Sequence, residues 1–396
     1  MGDMTTDENA VSAGTDRSVG DVCIDVLVIG AGQAGLGTGY WLGKEPGLSF
    51  LLVDGAEGVG DSWRRRWDSL QLFTPRRFSS LPGTPMPQGR SEYANKDEIG
   101  DYLTAFAAGQ GLPVRLGTRV LHVDQDSSGG FIAETTTGSI RARYVVIASG
   151  PYSAPFIPAA ADGLDPSVVQ LHSSAYERPG DLPESHVLVV GAGNSAAQLA
   201  VELAASRPVT VAAPGGMWFL PSRLLGLSLY WWLWITRILN GRSGSRVSRT
   251  VRARGDGIIG KELLTLVATG RMRIIKERVC SANGNEVELS DGTHVRTEAV
   301  LWCTGYQPDY SWLRVSKALD EGGHPIHDNG RSAVPGLHWV GLPWQTRLNS
   351  GIIDGVDRDA RRAVCRVKAA HARRGDAAAS SNRPLRNPKV PDRPTR

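Results

Sequence analysis

Short apolar runs recur along the chain, at residues 26–29, 50–53, 144–148, 187–190 and 299–302, each apolar without alternation. A strand in a parallel sheet is covered on both faces, and continuous runs of this kind mark it. The first run meets Gly30-Ala31-Gly32-Gln33-Ala34-Gly35, after which Leu36, Tyr40 and Trp41 return at helical spacing. The second ends on Asp54, about twenty residues past the glycines, where a dinucleotide-binding turn keeps a carboxylate for a ribose. In such a turn Gly30 permits the sharp bend, Gly32 admits a pyrophosphate to the backbone, and Gly35 lets the helix lie close on the strand. The first N–H groups of the helix and its dipole then face the phosphates.

The remaining pattern extends this unit and then repeats it. Residues 96–109 set Ile99, Leu103, Phe106 and Ala107 on one face, which predicts an amphipathic helix. Short strands are predicted near Val114, at 120–123 and at 131–135, before the run that closes on Ser149-Gly150. The run 187–190 then enters Gly191-Ala192-Gly193-Asn194-Ser195-Ala196, and Leu199, Ala200, Leu203 and Ala204 point inward from a helix. The run 299–302 closes this second unit on Cys303-Thr304-Gly305. Two units of similar length, with the same signals in the same order, are far more specific than either alone. A strand at 337–340 reaches Gly341, and a helix from about Gly351 turns Val356, Ala360, Ala363, Val364 and Val367 inward. The simplest topology returns this segment to the first unit, with hinge loops at both crossings. The expected fold is therefore α/β, two Rossmann-like dinucleotide-binding domains with the second (159–305) inserted in the first (22–158 and 306–370).

A chain of 396 residues exceeds most single cores, which agrees with two domains. The net charge of +4 does not mark a binding face, because the basicity belongs to the C-terminal tail and the chain between the two ends is close to neutral. Residues 371–396 hold seven Arg or Lys against two Asp, and residues 1–20 hold four acids and one Arg. Both ends are polar, without periodicity, and are read as disordered (1–21 and 371–396); no nucleic-acid face is expected. Cys23, Cys280, Cys303 and Cys365 stand far apart, so no redox dithiol, zinc site or disulfide framework is expected. With no secretory pattern at the start, a reducing cytoplasm fits. Residues 227–239 are too short for a membrane span and contain Arg237. They read as a buried or interdomain helix, an aromatic lid, or a surface that touches lipid. Trp63 and Trp67, in an aromatic and cationic loop at the ligand edge, either wall a flat ring system or belong to the core.

Taken in order, several motifs resemble the flavin-containing monooxygenases. These are the first glycine turn, Gly60-Asp61-Ser62-Trp63-Arg64, Trp67-Asp68-Ser69-Leu70-Gln71-Leu72-Phe73-Thr74-Pro75 and His172-Ser173-Ser174-x-Tyr176. The second glycine turn, Cys303-Thr304-Gly305-Tyr306, Gly341-Leu342-Pro343-Trp344 and Gly355-Val356-x-Arg358-Asp359-Ala360 follow. The order is similar to a bacterial branch labelled flavoproteins of cation transport, and to plant flavin monooxygenases that make auxin. The resemblance runs from Asp25 to Val367 and implies FAD at the first turn and NADPH at the second. Gly30, Gly32, Gln33, Ala34, Gly35 and Asp54 would hold FAD, with Ser62, Trp63 and Val120 also in its site. Asn349, Ser350 and Gly351 would face the flavin pyrimidine. Gly191, Gly193, Asn194, Ser195 and Gly305 would form the nicotinamide cofactor's site. His172 and Tyr176 match the family's identifying segment, although on the residues alone they read as linker packing and polar contacts.

This chain also departs from the family. Pro166 and Val168 stand where the identifying segment has Phe and Gly, and Ala196 replaces a third glycine. Phe73 stands where many relatives place an Asn by the flavin. Ala213 and Pro214 occupy the place of an Arg for the 2′-phosphate, leaving Arg223 and Arg207 as candidates. The resemblance implies a monooxygenase that moves one atom of O2 to an amine, sulfide, ketone or keto acid through a C4a-(hydro)peroxyflavin. No catalytic side chain and no metal site are evident, since the flavin carries the hard chemistry. Two rival readings are an NAD(P)H-dependent flavin reductase or oxidase, and a flavin-bound redox sensor linked to ion transport through the basic tail.

Overall fold

The computed structural model describes residues 22–255 and 257–381. The apolar runs form two sheets with a shared internal order. In the first, Leu337–Trp339, Gly138–Ile147, Val22–Ile29, Phe50–Val53 and Val114–Arg115 lie side by side and parallel. In the second, the order is Val169–His172, Ala299–Trp302, Val187–Val190, Val209–Ala212 and Met272–Ile275, again parallel. The strand feeding each glycine turn stands between its closing strand and the strand after its helix. Registers agree too: Ile29 pairs with Val53 and Ile147, Val190 with Ala212 and Trp302.

Burial on both faces explains the unbroken apolar runs, because Val26, Leu27, Val28, Val187, Leu188 and Val189 are fully buried. Over one face of the first sheet, helices Gln33–Leu42 and Ile353–Ser381 pack together through Leu36, Val356, Ala360 and Val364. Phe131, Tyr310, Leu313 and Trp339 close the other face. Helices Asn194–Leu203 and Glu262–Ala268 cover the second sheet on one side. A three-stranded antiparallel sheet, Val279–Asn283, Glu286–Leu289 and His294–Arg296, covers the other through Val279, Val287, Leu289 and Val295.

All strands of the second sheet fall, in sequence, between two paired strands of the first, Gly138–Ile147 and Leu337–Trp339. Where the chain crosses, Ala154–Pro155 pairs antiparallel with Tyr306–Gln307, and the Phe156 N–H donates to the Gly305 carbonyl at 3.0 Å. The crossings are thus a hydrogen-bonded ribbon rather than two separate loops. Residues 61–64, expected to be loop, make one helical turn, Asp61–Arg64. The last helix runs to Ser381, past the limit at residue 370 where apolar periodicity ends. The alanines and arginines of this stretch favour a helix by intrinsic propensity, and Arg374 lies over the Tyr144 ring at 5.7 Å. Residues 1–21 and 382–396, expected to be disordered, lie outside the described residues.

His338 sits in the buried Leu337–Trp339 strand with no hydrogen-bond partner at Nδ1 among the described residues. Burial pushes its pKa down to about 4, and burial lowers His172, His186 and His327 as well. A histidine with a lowered folded pKa binds its proton more readily when unfolded. Its contribution is therefore complete above about pH 6.5 and is lost as pH falls through 4. We expect His338 alone to cost about 3 kcal/mol at pH 4 relative to neutral pH. Thermal melts across this window test it, with His338→Leu expected to flatten the pH dependence.

Candidate functional site

Both glycine turns are built alike at the carboxyl edges of their sheets, where a doubly wound fold binds ligands. Gly30 and Gly191 have φ of +103° and +146°. A Cβ on Gly30 would stand 2.6 Å from the Ala148 carbonyl oxygen, and one on Gly191 2.2 Å from that of Cys303. Gly32 and Gly193 serve differently. Their φ values of −74° and −96° suit any residue, and, chain neighbours and own helix backbone apart, no atom of the described residues lies within 4 Å of a Cβ placed on either. They leave open space at the N-caps of Gln33–Leu42 and Asn194–Leu203. Neither helix has a side-chain cap or a first-turn acid, whereas Lys96–Gly109 carries a capping box of Asn95 and Glu98. Uncapped N–H groups, the positive end of the dipole and a side-chain-free space suit a pyrophosphate.

The turns differ at the third position. A Cβ on Gly35 would stand 1.8 Å from the Gly30 carbonyl oxygen, while the second helix accommodates the fully buried Ala196. Asp54 braces the first turn, its Oδ2 accepting from the Ala31 N–H at 2.7 Å and its Oδ1 from the Ala56 N–H at 2.9 Å. Each oxygen keeps a second lone pair for a ribose hydroxyl. The Thr118 N–H donates to the Asp54 carbonyl at 2.8 Å, so half-buried Val120 follows at the same edge.

The 341–351 loop reaches the first turn from the opposite end of the chain. Gly341 passes so close that a Cβ on it would lie 2.7 Å from the Ala34 Cβ. Asn349 is buried, its Nδ2 donating to Asp354 Oδ2 at 3.0 Å and its Oδ1 lacking a partner among the described residues. Ser350 Oγ accepts from the Thr346 and Arg347 N–H groups and so shapes the loop. Gly351 abuts Pro343, whose Cα would be 3.2 Å from an added Cβ. Gln33 is half-buried and Ser62 exposed. Trp63 packs against both sheets' cores, whereas Trp67 belongs to the second core beside Tyr176 and Leu199.

In the second unit, Asn194 ties the turn to a neighbouring strand. Its Nδ2 donates to the Gly257 carbonyl and its Oδ1 accepts from the Ile259 N–H, both at 3.3 Å. Ser195 is half-buried in the first helical turn, and Gly305 is exposed with φ +82°. His172 Nε2 lies 2.9 Å from the Gly305 carbonyl oxygen, and its Nδ1 accepts from the Ser174 N–H at 3.1 Å. Burial lowers its pKa and favours the neutral ring. The buried Tyr176 donates to Glu202 at 2.9 Å. Both residues make the packing and polar contacts that their linker position suggests.

Ala213 occupies the place that Asp54 has in the first unit, after Val209–Ala212. Arg207 cannot reach a phosphate there. It precedes that strand, at the amino edge, and is buried with its guanidinium donating to the Leu182 and Pro183 carbonyls. Arg223 is paired with Glu92 at 2.9 Å. Lys276, which no motif marks, follows the adjacent strand Met272–Ile275 at the carboxyl edge. Its side chain runs along Gly216, where a Cβ would lie 3.4 Å from Lys276 Cδ. Only the alignment of two strands distant in sequence brings it there, so no local signal marks it.

Aromatic side chains border the loop at Asn349. Phe78, Tyr230 and Leu239 form a cluster with Phe73, Trp231, Leu348 and Ile352 packed on it. Residues 227–239 hold the helix Leu229–Ile235, which buries Tyr230 but leaves Trp234 and Ile235 exposed. Their inner side therefore covers Phe73 and Phe78. Among the described residues, no helix is long and apolar enough to cross a membrane and no cluster could hold a metal. Cys303 is buried, and burial raises its thiol pKa.

The comparisons agree with this geometry. The family described as pyridine nucleotide-disulphide oxidoreductase matches residues 27–224. An uncharacterized CzcO-like oxidoreductase of Geobacillus kaustophilus is 42% identical over 337 residues, 85% of this chain and 96% of the relative. The indole-3-pyruvate monooxygenase YUCCA6 of Arabidopsis thaliana is 28% identical over 85% of this chain and 88% of its own length. A flavin-containing monooxygenase structure from Stenotrophomonas maltophilia matches with a TM-score of 0.73 at 28% identity, covering 88% of this chain and 99% of that one. The chain belongs to the flavin monooxygenase family and is a flavin-dependent oxidoreductase.

The two kinds of glycine make opposite predictions. Gly32→Val should leave the flavin-free protein's melting temperature almost unchanged, since space and φ both allow it, yet abolish flavin binding. Gly35→Ala should destabilise the fold by about 3 kcal/mol, because backbone atoms cannot yield. Flavin absorbance of the purified variants, with melts of the flavin-free forms, checks both. Normal flavin occupancy in Gly32→Val would refute the assigned site.

Proposed function

We propose that this protein is an FAD- and NADPH-dependent monooxygenase acting on a small organic substrate: a soft nitrogen or sulfur centre, a ketone or a keto acid. One observation carries the reading: two matched turns, each leaving side-chain-free space at an uncapped helix, in one chain. Gly30, Gly32, Gly35 and Asp54 hold FAD on the unit formed by 22–158 and 306–370, with Asn349 beside the flavin. Gly191, Gly193 and Ser195 hold the pyrophosphate of NADPH on the unit 159–305. FAD, when bound, accepts hydride from NADPH and activates oxygen.

The protein's own part is to orient both cofactors and to keep water out. Phe73, Phe78, Tyr230, Leu348 and Ile352 offer an apolar wall for that purpose. The overall balance is substrate, O2, NADPH and a proton giving oxygenated product, NADP+ and water. Phe73 supplies no hydrogen bond where an amide would, so some reducing equivalents should escape as peroxide. A disulfide reductase is disfavoured, because the four cysteines are far apart in sequence and Cys303 is buried with a raised pKa. The test follows NADPH use, oxygen uptake, peroxide and product together, over amines, sulfides, ketones and keto acids. NADPH oxidation with stoichiometric peroxide and no product from any substrate would make it an oxidase.

Coenzyme choice gives a sharper prediction. Ala213 presents no carboxylate to repel a 2′-phosphate, and Lys276 supplies a cation at that edge. A charge-assisted contact contributes about 1.5–3 kcal/mol, so Lys276→Ala should lower the preference for NADPH over NADH by roughly tenfold to a hundredfold. Arg207→Ala should lower the melting temperature and leave the preference intact, as should Arg223→Ala for the preference. Flavin reduction rates with both coenzymes decide the matter.

A further inference from the structure

Residues 223–242 lay an apolar surface beside a cationic one. Leu224, Leu225, Leu227, Trp234, Ile235 and Ile238 are all exposed, Leu225 at 82%. Leu225 and Gly226 form the tip of a hairpin between Arg223–Leu224 and Leu227–Ser228, with φ of +51° and +79°. Asn and Gly are the residues such a two-residue tip favours. Leucine takes the steric cost of the left-handed conformation here and gains no burial in return. Neither local propensity nor packing explains it, and strain of this kind accompanies contacts made outside the chain.

Beside this surface opens a cleft of about 1150 Å³ in which Arg242, Arg347, Arg358, Arg361, Arg362 and Arg366 converge. Asn240 joins the two surfaces. It lines a recess with Trp234, Ile235 and Arg237, while its carbonyl accepts from Arg347 and its side-chain oxygen from Arg358. Arg347 and Arg366 are lowered first by burial and then by neighbouring guanidiniums, among them Arg358 and Arg362. The carboxylates that offset them are Asp328 and Asp359. Asp359 is itself buried and accepts from the Thr346 hydroxyl. Arg361 also lies over the Trp41 ring at 5.0 Å. Asp354, on the same helix as Arg358, also interacts with it, and six cations against these three carboxylates still leave an excess of positive charge that suits multiply charged anions.

We propose that this face docks the protein on an anionic phospholipid surface, with headgroup phosphates in the arginine cleft and Leu225, Trp234 and Ile235 in the headgroup–acyl boundary. A dissolved phosphate ester would use the arginines and leave the apolar rim in water. A bilayer satisfies both surfaces at once. A second copy of the chain, meeting the same patch across a two-fold axis, would bring the arginine clefts towards each other.

The test uses the full-length, flavin-loaded protein and vesicles of phosphatidylcholine, with or without phosphatidylglycerol. Co-sedimentation should show roughly tenfold or greater preference for the anionic vesicles, weakened by added salt. Leu225→Asn should melt no lower than wild type, because Asn suits the left-handed conformation, yet bind anionic vesicles about tenfold more weakly. The double variant Arg242→Glu with Arg362→Glu should lose binding and keep its flavin. Equal capture by neutral and anionic vesicles, or unchanged capture of Leu225→Asn, would overturn the proposal. So would calorimetric binding of inorganic pyrophosphate with no vesicle capture, which would assign the cleft to a soluble phosphate. A dimer that Leu225→Asn dissociates, again without vesicle capture, would assign the face to a second copy.

Discussion

Backbone meets backbone at Gly30, where the turn after the first strand lies against the carbonyl of Ala148 at the end of the closing strand. The helix that follows is held as tightly, since Gly35 faces the Gly30 carbonyl with no room for a methyl group. This contact fixes the direction in which the helix leaves the sheet. Its free N–H groups and its dipole therefore point at the carboxyl edge. The second unit repeats the contact between Gly191 and Cys303. Both openings follow from it, because the space at Gly32 and Gly193 exists only when the neighbouring backbones are locked in place.

Within that shared plan, the units are differentiated by a few side chains. Asp54 braces one turn with a carboxylate, while Ala213 at the equivalent place brings none and Lys276 from the adjacent strand puts a cation at the second edge. Ala196 in place of a third glycine sits buried without disturbing the sheet order. The crossings between units pair as a ribbon at Ala154–Pro155 and Tyr306–Gln307. His172 adds a hydrogen bond to the same ribbon through Gly305. The doubled architecture thus keeps one geometry and varies the charge at its edge.

Residues 223–242 show how one segment can face two environments. Tyr230 and Leu239 turn inward onto Phe78, while Trp234, Ile235 and Ile238 turn outward. A helix as short as Leu229–Ile235 has too little stripe to bury all its aromatics. Its inner contacts anchor it against Leu348 and Ile352, next to Asn349, and its outer face remains available. Four of the arginines beside it, Arg358, Arg361, Arg362 and Arg366, come from the last helix, whose inward residues are committed to the first sheet, and Arg242 and Arg347 join them from loops.

Periodicity and spacing left Val169–His172, Met272–Ile275 and the three-stranded antiparallel sheet unmarked, but determined the strands that feed and close the two turns, the helices that follow them and the return of the chain near residue 337. Those features rest on interactions within a few residues or on burial, both of which a sequence records directly. The last helix extends beyond its apolar stripe to Ser381, because alanine and arginine favour a helix by propensity where no apolar pattern advertises it. The fate of individual polar side chains was beyond local pattern. Arg207 looked available for a phosphate until the fold put it at the amino edge, bound to two carbonyls. Lys276 carried no motif, and the arginine cleft is assembled from residues over a hundred positions apart. Such placements depend on strand order and helix packing, which set distances between parts of the chain that share no local pattern.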